Sequence, residues 1–159
     1  MFKCYLAGYM SEKCLEQCLS WRKQVKDHYN NWKGREKYPI SWLDPFNGEI
    51  EDMREEGLKA NIPPNTIIHR DFQAVSNADL IIANLSTFGE TRPLTGTLCE
   101  LAWAWMMHKP IIIITTEPHF AEHPFISNFA SWIFPSVEAM LEAKAVNHFF
   151  KGVNDAIYS

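Results

Sequence analysis

Branched apolar residues gather in two short runs near the middle of the chain, residues 78–85 (ADLIIANL) and 111–115 (IIIIT). Neither run alternates polar with apolar, and each is about the length of a strand. That is the pattern of strands covered on both faces, as in a parallel sheet. Between them come a loop containing Gly89, Pro93 and Gly96 and then an apolar segment, residues 98–107, that reads as a helix. Strand, glycine-bearing loop, helix and strand predict one βαβ crossover.

The flanking segments continue the alternation. Residues 1–7 (MFKCYLA) predict a first strand, with Gly8 at its carboxyl end where the backbone turns tightly. Ser11 is placed to cap a helix over residues 12–28, whose apolar face takes in Cys14, Leu15, Cys18, Leu19, Trp21, Arg22 and Val25. After a polar connection, residues 38–43 predict a second strand closed by Asp44-Pro45-Phe46. Residues 47–64 are a charged excursion with room for a short helix over 50–58, of the length that often serves as a lid or binding loop. Ile67, Ile68, Phe72 and Val75 recur at helical spacing and predict a helix over residues 66–76. Past the crossover, residues 117–126 read as a loop, because Pro118 and Pro124 argue against a helix there. A short strand at 133–134 and a helix from 137 to 150, capped by Ser136, complete the pattern. The alternation predicts a single α/β domain over residues 1–159, a flavodoxin-like or Rossmann-like three-layer sandwich with a central parallel sheet.

Composition narrows the function classes. At 159 residues the chain has the size of one domain, and 47% hydrophobic against 21% charged residues is an ordinary globular balance. A net charge of −4 with no basic stripe argues against a nucleic-acid partner. No run reaches transmembrane length and no leader pattern opens the chain, so a soluble, cytoplasmic protein without a membrane partner is expected. Cys4, Cys14, Cys18 and Cys99 form no CxxC pair and are expected as buried, reduced thiols. No G-x-G-x-x-G follows the first strand and no Walker A sequence is present, which removes support for a dinucleotide or P-loop cofactor. A flavin would need a phosphate loop after strand one that is missing. The six histidines are scattered, so neither cofactor nor metal is expected.

Polar residues at strand ends are the remaining candidates. Glu100 interrupts the apolar crossover at the start of its helix, at the carboxyl end of a central strand, where open α/β sheets place their ligand crevice. Thr97 as N-cap with Glu100 three residues on would make a capping box, and catalysis is the competing reading. Tyr9 follows the first strand at the same end of the sheet, either as an aromatic covering the core edge or as a phenol touching a ligand or the carboxylate. Asp44 ends the second strand, where an Asx-Pro turn is the plain alternative. Asp71 lies on the helix before the third strand, facing either solvent or Glu100, and Asn84 is placed to order the loop after that strand.

Taken together, YLAGYM, LDPF, RD ahead of ADLIIANL, and GTLCELAWAWMMHKPIIII resemble the nucleoside 2-deoxyribosyltransferase family, with its relatives that hydrolyse nucleotide N-glycosidic bonds. The resemblance runs from the first strand to about residue 116, and GT-x-x-E-x-A-x-A is its most specific part. It implies an enzyme acting on a nucleoside or nucleotide and a free nucleobase. Glu100 matches the family's nucleophile, which attacks the anomeric carbon to give a glycosyl ester; the helix N-terminus would help keep it ionised. Tyr9 matches an aromatic that contacts the nucleophile, and Asp71 a carboxylate that handles the proton of the leaving and incoming base. Asp44 and Phe46 align with the border of the base pocket, and Gly8, Asn84, Gly96 and Thr97, at strand ends and in the loop before Glu100, are expected to bind substrate. Asn128 loosely matches an asparagine supplied across a subunit interface, and Tyr158-Ser159 a tail that reaches the site. The resemblance therefore also implies a homo-oligomer with shared sites, as the many aromatics suggest by themselves.

The loop before Glu100 departs from the family's pattern. Leu94 and Thr95 stand where an acidic residue is usual, and Arg92 stands nearby among the hydroxyls of Ser86, Thr87, Thr95 and Thr97. That set suits a 5′-phosphate. On the resemblance as a whole, the expected function is a 2-deoxyribosyltransferase working through a glutamyl-deoxyribosyl intermediate. The alternatives are a nucleoside 5′-monophosphate N-glycosidase and a non-catalytic nucleotide-binding domain.

Overall fold

The computed structural model describes residues 1–46 and 63–150. The expected helix over 50–58 and the tail residues Tyr158 and Ser159 lie outside them. Five strands form one parallel sheet: β1 (Phe2–Gly8), β2 (Ile40–Leu43), β3 (Leu80–Asn84), β4 (Ile111–Ile114) and β5 (Trp132–Phe134). Their spatial order is β2-β1-β3-β4-β5, the flavodoxin-like order. From β1 the chain first steps outward to β2 and then returns to the other side of β1 as β3. The connections leaving β1 and β3 therefore diverge, and a crevice opens at the carboxyl ends of these two strands. Gly8 and Asn84 are partners in register there.

The apolar runs follow from this position. Residues 80–84 and 111–114 are buried along their whole length, because helices cover both faces. Tyr5, Ala7, Ile81, Ala83, Ile111 and Ile113 pack toward α2 (Pro64–Asn77), α3 (Thr95–Met106) and α5 (Pro124–Phe129). Their strand neighbours Cys4, Leu6, Leu80, Ile82 and Ile112 pack toward α1 (Leu15–Asn30) and α6 (Val137–Glu142). The period of two along a strand sorts each run into these layers.

Several elements differ from the sequence reading. A single 3-10 turn, Glu12–Cys14, precedes α1, and Ser11 caps it by accepting from the Lys13 N–H at 3.3 Å. Pro118 and Pro124 begin two short helices, α4 (Pro118–Ala121) and α5, instead of preventing them. A first-turn proline loses no hydrogen bond, since that N–H has no partner inside the helix. The last helix stops at Glu142, where Lys144 adopts the left-handed conformation (φ 49°) and a 3-10 segment, Ala145–Phe149, follows. Cys4, Cys14 and Cys18 are buried free thiols, but Cys99 is exposed on the outer side of α3.

Candidate active site

Helix α3 begins at Thr95, with Leu94 as its N-cap residue and no capping side chain among the described residues. Glu100 is thus the sixth helical residue, not the third, and the Thr97–Glu100 capping box does not form. The helix starts earlier because Leu94, which is buried, anchors the loop, and Thr97 is carried into the first turn and buried. One turn further in, the helix dipole acts weakly on Glu100. Burial acts strongly: it pushes the carboxyl up to about 7, the Tyr5 hydrogen bond pulls it down, Asp71 adds to the rise, and Arg22 and Arg70 oppose it.

Glu100 therefore sits in the interior, 8% exposed, with Oε1 accepting a 2.7 Å hydrogen bond from the Tyr5 hydroxyl. Tyr5 points from the middle of β1 into the α2/α3 layer. Asp71, on α2, accepts a 3.2 Å hydrogen bond from Arg70 Nε, and its charge is felt by both Glu100 and Tyr5. One phenol and two carboxylates from three elements thus converge beneath the end of the β1/β3 crevice.

The phenol that meets Glu100 is not the expected one. Tyr9 is buried beside β1, and its hydroxyl accepts from Arg92 Nε at 3.4 Å. Strand geometry explains the difference. Tyr5 lies within β1, where alternation aims it at α3, whereas Tyr9 follows the strand and turns toward the loop after β3. The sequence did carry a signal for Tyr5. A phenol inside a strand buried on both faces needs a hydrogen-bond partner, and Glu100 was the buried acid across the sheet end.

The other candidates spread around this centre. Gly8 has little spare room: a Cβ there would lie 3.0 Å from the Trp21 ring and 3.2 Å from the Asn84 carbonyl. Asn84 orders the next loop by accepting the Ser86 N–H at 3.0 Å. Gly96, in the first turn of α3, has open space where a Cβ would be. Asp44 is committed to protein partners. Its Oδ1 accepts the Phe46 N–H at 3.0 Å and lies 3.5 Å from Arg22 Nε, and its Oδ2 takes the Lys26 ammonium. Phe46 is fully buried, over the Arg22 guanidinium. Asn128 is exposed on α5 and donates to the Pro124 carbonyl at 2.5 Å. Arg92 is exposed, donates to the Met10 carbonyl and lies over the Tyr9 ring at 5.0 Å.

A cleft of about 740 Å³ opens beside Glu100's helix, at the carboxyl ends of β3, β4 and β5. Asn84, Ser86, Thr87, Arg92, Leu94 and Thr115 are among its walls, and Glu100 is not. Its hydroxyl-lined side is the loop that precedes α3.

The profile of the family described as nucleoside 2-deoxyribosyltransferase matches residues 5–149. The chain belongs to this family. Structures that resemble it include the 2-desoxiribosyltransferase of Leishmania mexicana, at 20% identity, TM-score 0.53, and coverage of 74% of this chain and 66% of that one. The 2-deoxyribosyltransferase of Bacillus psychrosaccharolyticus is 17% identical, with TM-score 0.57 and coverage of 86% and 88%. The CMP N-glycosidase of Clostridium botulinum is 15% identical, with TM-score 0.54 and coverage of 91% and 98%. At such identities these structures share the fold. No curated protein sequence matches the chain significantly. Within the nucleoside 2-deoxyribosyltransferase frame, Tyr5, Arg22 and the cleft residue Thr115 are among the buried polar residues that the sequence reading did not single out as part of a site.

Proposed function

We propose that the protein is a 2-deoxyribosyltransferase that cleaves the N-glycosidic bond of a 2′-deoxynucleoside with Glu100 as nucleophile. The observation that carries this reading is the buried Glu100 carboxylate held by the Tyr5 hydroxyl at 2.7 Å, with the Asp71 carboxylate near enough to shift its ionisation. In the proposed reaction a carboxylate oxygen of Glu100 attacks the anomeric carbon. The bond from that carbon to the base nitrogen breaks, its electron pair stays on the nitrogen, and Asp71 supplies the proton the base needs. An incoming base gives its proton to Asp71 and displaces the Glu100 ester with its nitrogen lone pair, regenerating the carboxylate. One carboxylate must stay ionised as nucleophile while the other carries a proton, which is why two carboxylates with different surroundings suit the task.

A second reading has its own support. Arg92 stands at the rim with the hydroxyls of Ser86 and Thr87 on the same loop, a donor set for a phosphate. With a nucleoside 5′-monophosphate as substrate and water in place of the incoming base, the same Glu100 chemistry makes a nucleotide N-glycosidase. A retained fold without turnover would leave a nucleotide-binding domain.

Chromatography of reactions with a deoxynucleoside, with and without a second base, and with the matching 5′-monophosphate separates these readings. A new deoxynucleoside that forms only with the acceptor base supports the transferase. Free base from the monophosphate without exchange supports the hydrolase. Glu100→Ala is expected to lower turnover by about 10³-fold or more while the protein stays folded. Full activity in that variant would remove the nucleophile assignment.

A further inference from the structure

Arg22 is a charged residue on the apolar face of α1, and it is 1% exposed. Its Nη1 donates to the Cys18 carbonyl at 2.6 Å and its Nη2 to the Gly8 carbonyl at 3.3 Å. Its Nε faces Asp44 Oδ1 at 3.5 Å, and the guanidinium lies over the rings of Trp21 (4.6 Å) and Phe46 (4.8 Å). One side chain thus joins α1, the carboxyl end of β1 and the turn that closes β2. Two of these segments border the β1/β3 crevice or its neighbouring strand end.

The charges do not cancel locally. Asp44 is engaged by two cations, Arg22 and Lys26, so this cluster holds one positive charge in excess. Asp71 has the Arg70 guanidinium at 3.2 Å. The groups that act on Glu100 from the surrounding elements are Tyr5 on β1, Asp71 and Arg70 on α2, and Arg22 on α1. Of these cations, Arg22 is the buried one. A buried ion pair that served stability alone would usually be replaceable by apolar side chains. A buried cation in excess over its anion, whose charge acts on a buried carboxylate, has an electrostatic use.

We infer that Arg22 is a positioning residue for the Glu100 site: it ties the ends of β1 and β2 together through Gly8 and Asp44 and supplies the interior positive charge that favours the Glu100 carboxylate. It touches neither reacting atom and acts through the backbone and the field. The inference rests on Glu100 as the working carboxylate, and its test has a readout that does not need turnover.

The experiment compares wild type, Arg22→Gln and Arg22→Lys, with glutamate labelled by ¹³C at the side-chain carboxyl and Glu100→Gln to assign the Glu100 signal. NMR titration gives the midpoint of Glu100, and the pH profile of base release from a deoxynucleoside gives kcat/KM. Arg22→Gln, neutral and still able to donate, is expected to move the midpoint to higher pH by about one pH unit. It should also lower kcat/KM about tenfold on the acid limb. Arg22→Lys, which keeps the charge, is expected to restore most of the midpoint. A folded Arg22→Gln protein with an unchanged Glu100 midpoint overturns the inference. So does loss of cooperative folding in Arg22→Gln, alone or together with Arg22→Lys, which would make the cation structural. If wild type releases no base, the proposed activity fails, and the midpoint still decides the role of Arg22.

Discussion

The Tyr5 hydroxyl donates to Glu100 Oε1 at 2.7 Å across the space between the central strand β1 and helix α3. The bond orients the carboxylate and opposes the rise in pKa that burial imposes. Tyr5 itself stays protonated, since burial and the Glu100 charge both push its pKa up. Tyr5→Phe is expected to keep the fold, because the ring still fills its place, and to lower kcat/KM near neutral pH by about ten- to a hundredfold. That range is the rate equivalent of a hydrogen bond to a charged group, about 1.5–3 kcal/mol. Steady-state kinetics beside a thermal melt checks it. An unchanged rate would mean that the bond orients nothing the reaction needs.

The raised pKa of Glu100 sets the direction of the pH dependence. A nucleophilic carboxylate must be ionised, so kcat/KM is expected to rise with pH through about 7, on the acid limb of the profile. Stability runs the other way. The folded pKa lies above the ordinary 4.5, so between those two values the native state binds more protons than the unfolded one, and stability falls as pH rises. Glu100→Gln removes this penalty and keeps an acceptor for Tyr5. Denaturant titrations are expected to find it more stable than wild type by on the order of 1–3 kcal/mol at pH 8, with the gain vanishing near pH 4. An equal gain at both pH values would assign the effect to packing.

Arg92 offers a test of substrate charge. Its guanidinium rests on the Tyr9 ring and the Met10 carbonyl, and it faces the cleft. If a 5′-phosphate binds there, Arg92→Gln lowers kcat/KM more for a monophosphate than for the matching nucleoside, by about tenfold or more in the ratio. Equal losses on both substrates would assign Arg92 to holding Tyr9 in place.

The outer side of α3 and α5 exposes Trp105 (51%), Met106 (70%) and Phe125 (66%), with Phe129 between Trp105 (5.3 Å) and Phe125 (6.0 Å). Adjoining exposed aromatics of this kind mark association surfaces. Sedimentation velocity at micromolar concentration is expected to show a homo-oligomer, and Trp105→Glu with Phe125→Glu to shift it toward smaller species. Since Asn128 shares α5 with Phe125, the same variant should lose activity as it dissociates if Asn128 serves a neighbour's site. A wild-type monomer would remove the shared-site reading.

What the sequence determined by itself is the layered fold. Unbroken branched runs such as 80–84 and 111–114 have no stable place except inside a covered parallel sheet, and Gly8 and Asn84 mark where its strands end. Glu100 was legible as a carboxylate in an apolar helix, and Arg22 was readable on the apolar face of α1, though not as a cation with a use. The tertiary structure decided the rest. The start of α3 shifted by three residues, because the buried Leu94, not a capping side chain, fixes where it begins. Which phenol meets Glu100, Tyr5 or Tyr9, depends on side-chain direction about a strand that ends between them. The pairing of Arg22 with Gly8 and Asp44 joins residues far apart in the chain. Local patterns report which residues must be buried; the partner each buried polar group finds is set by how the layers pack.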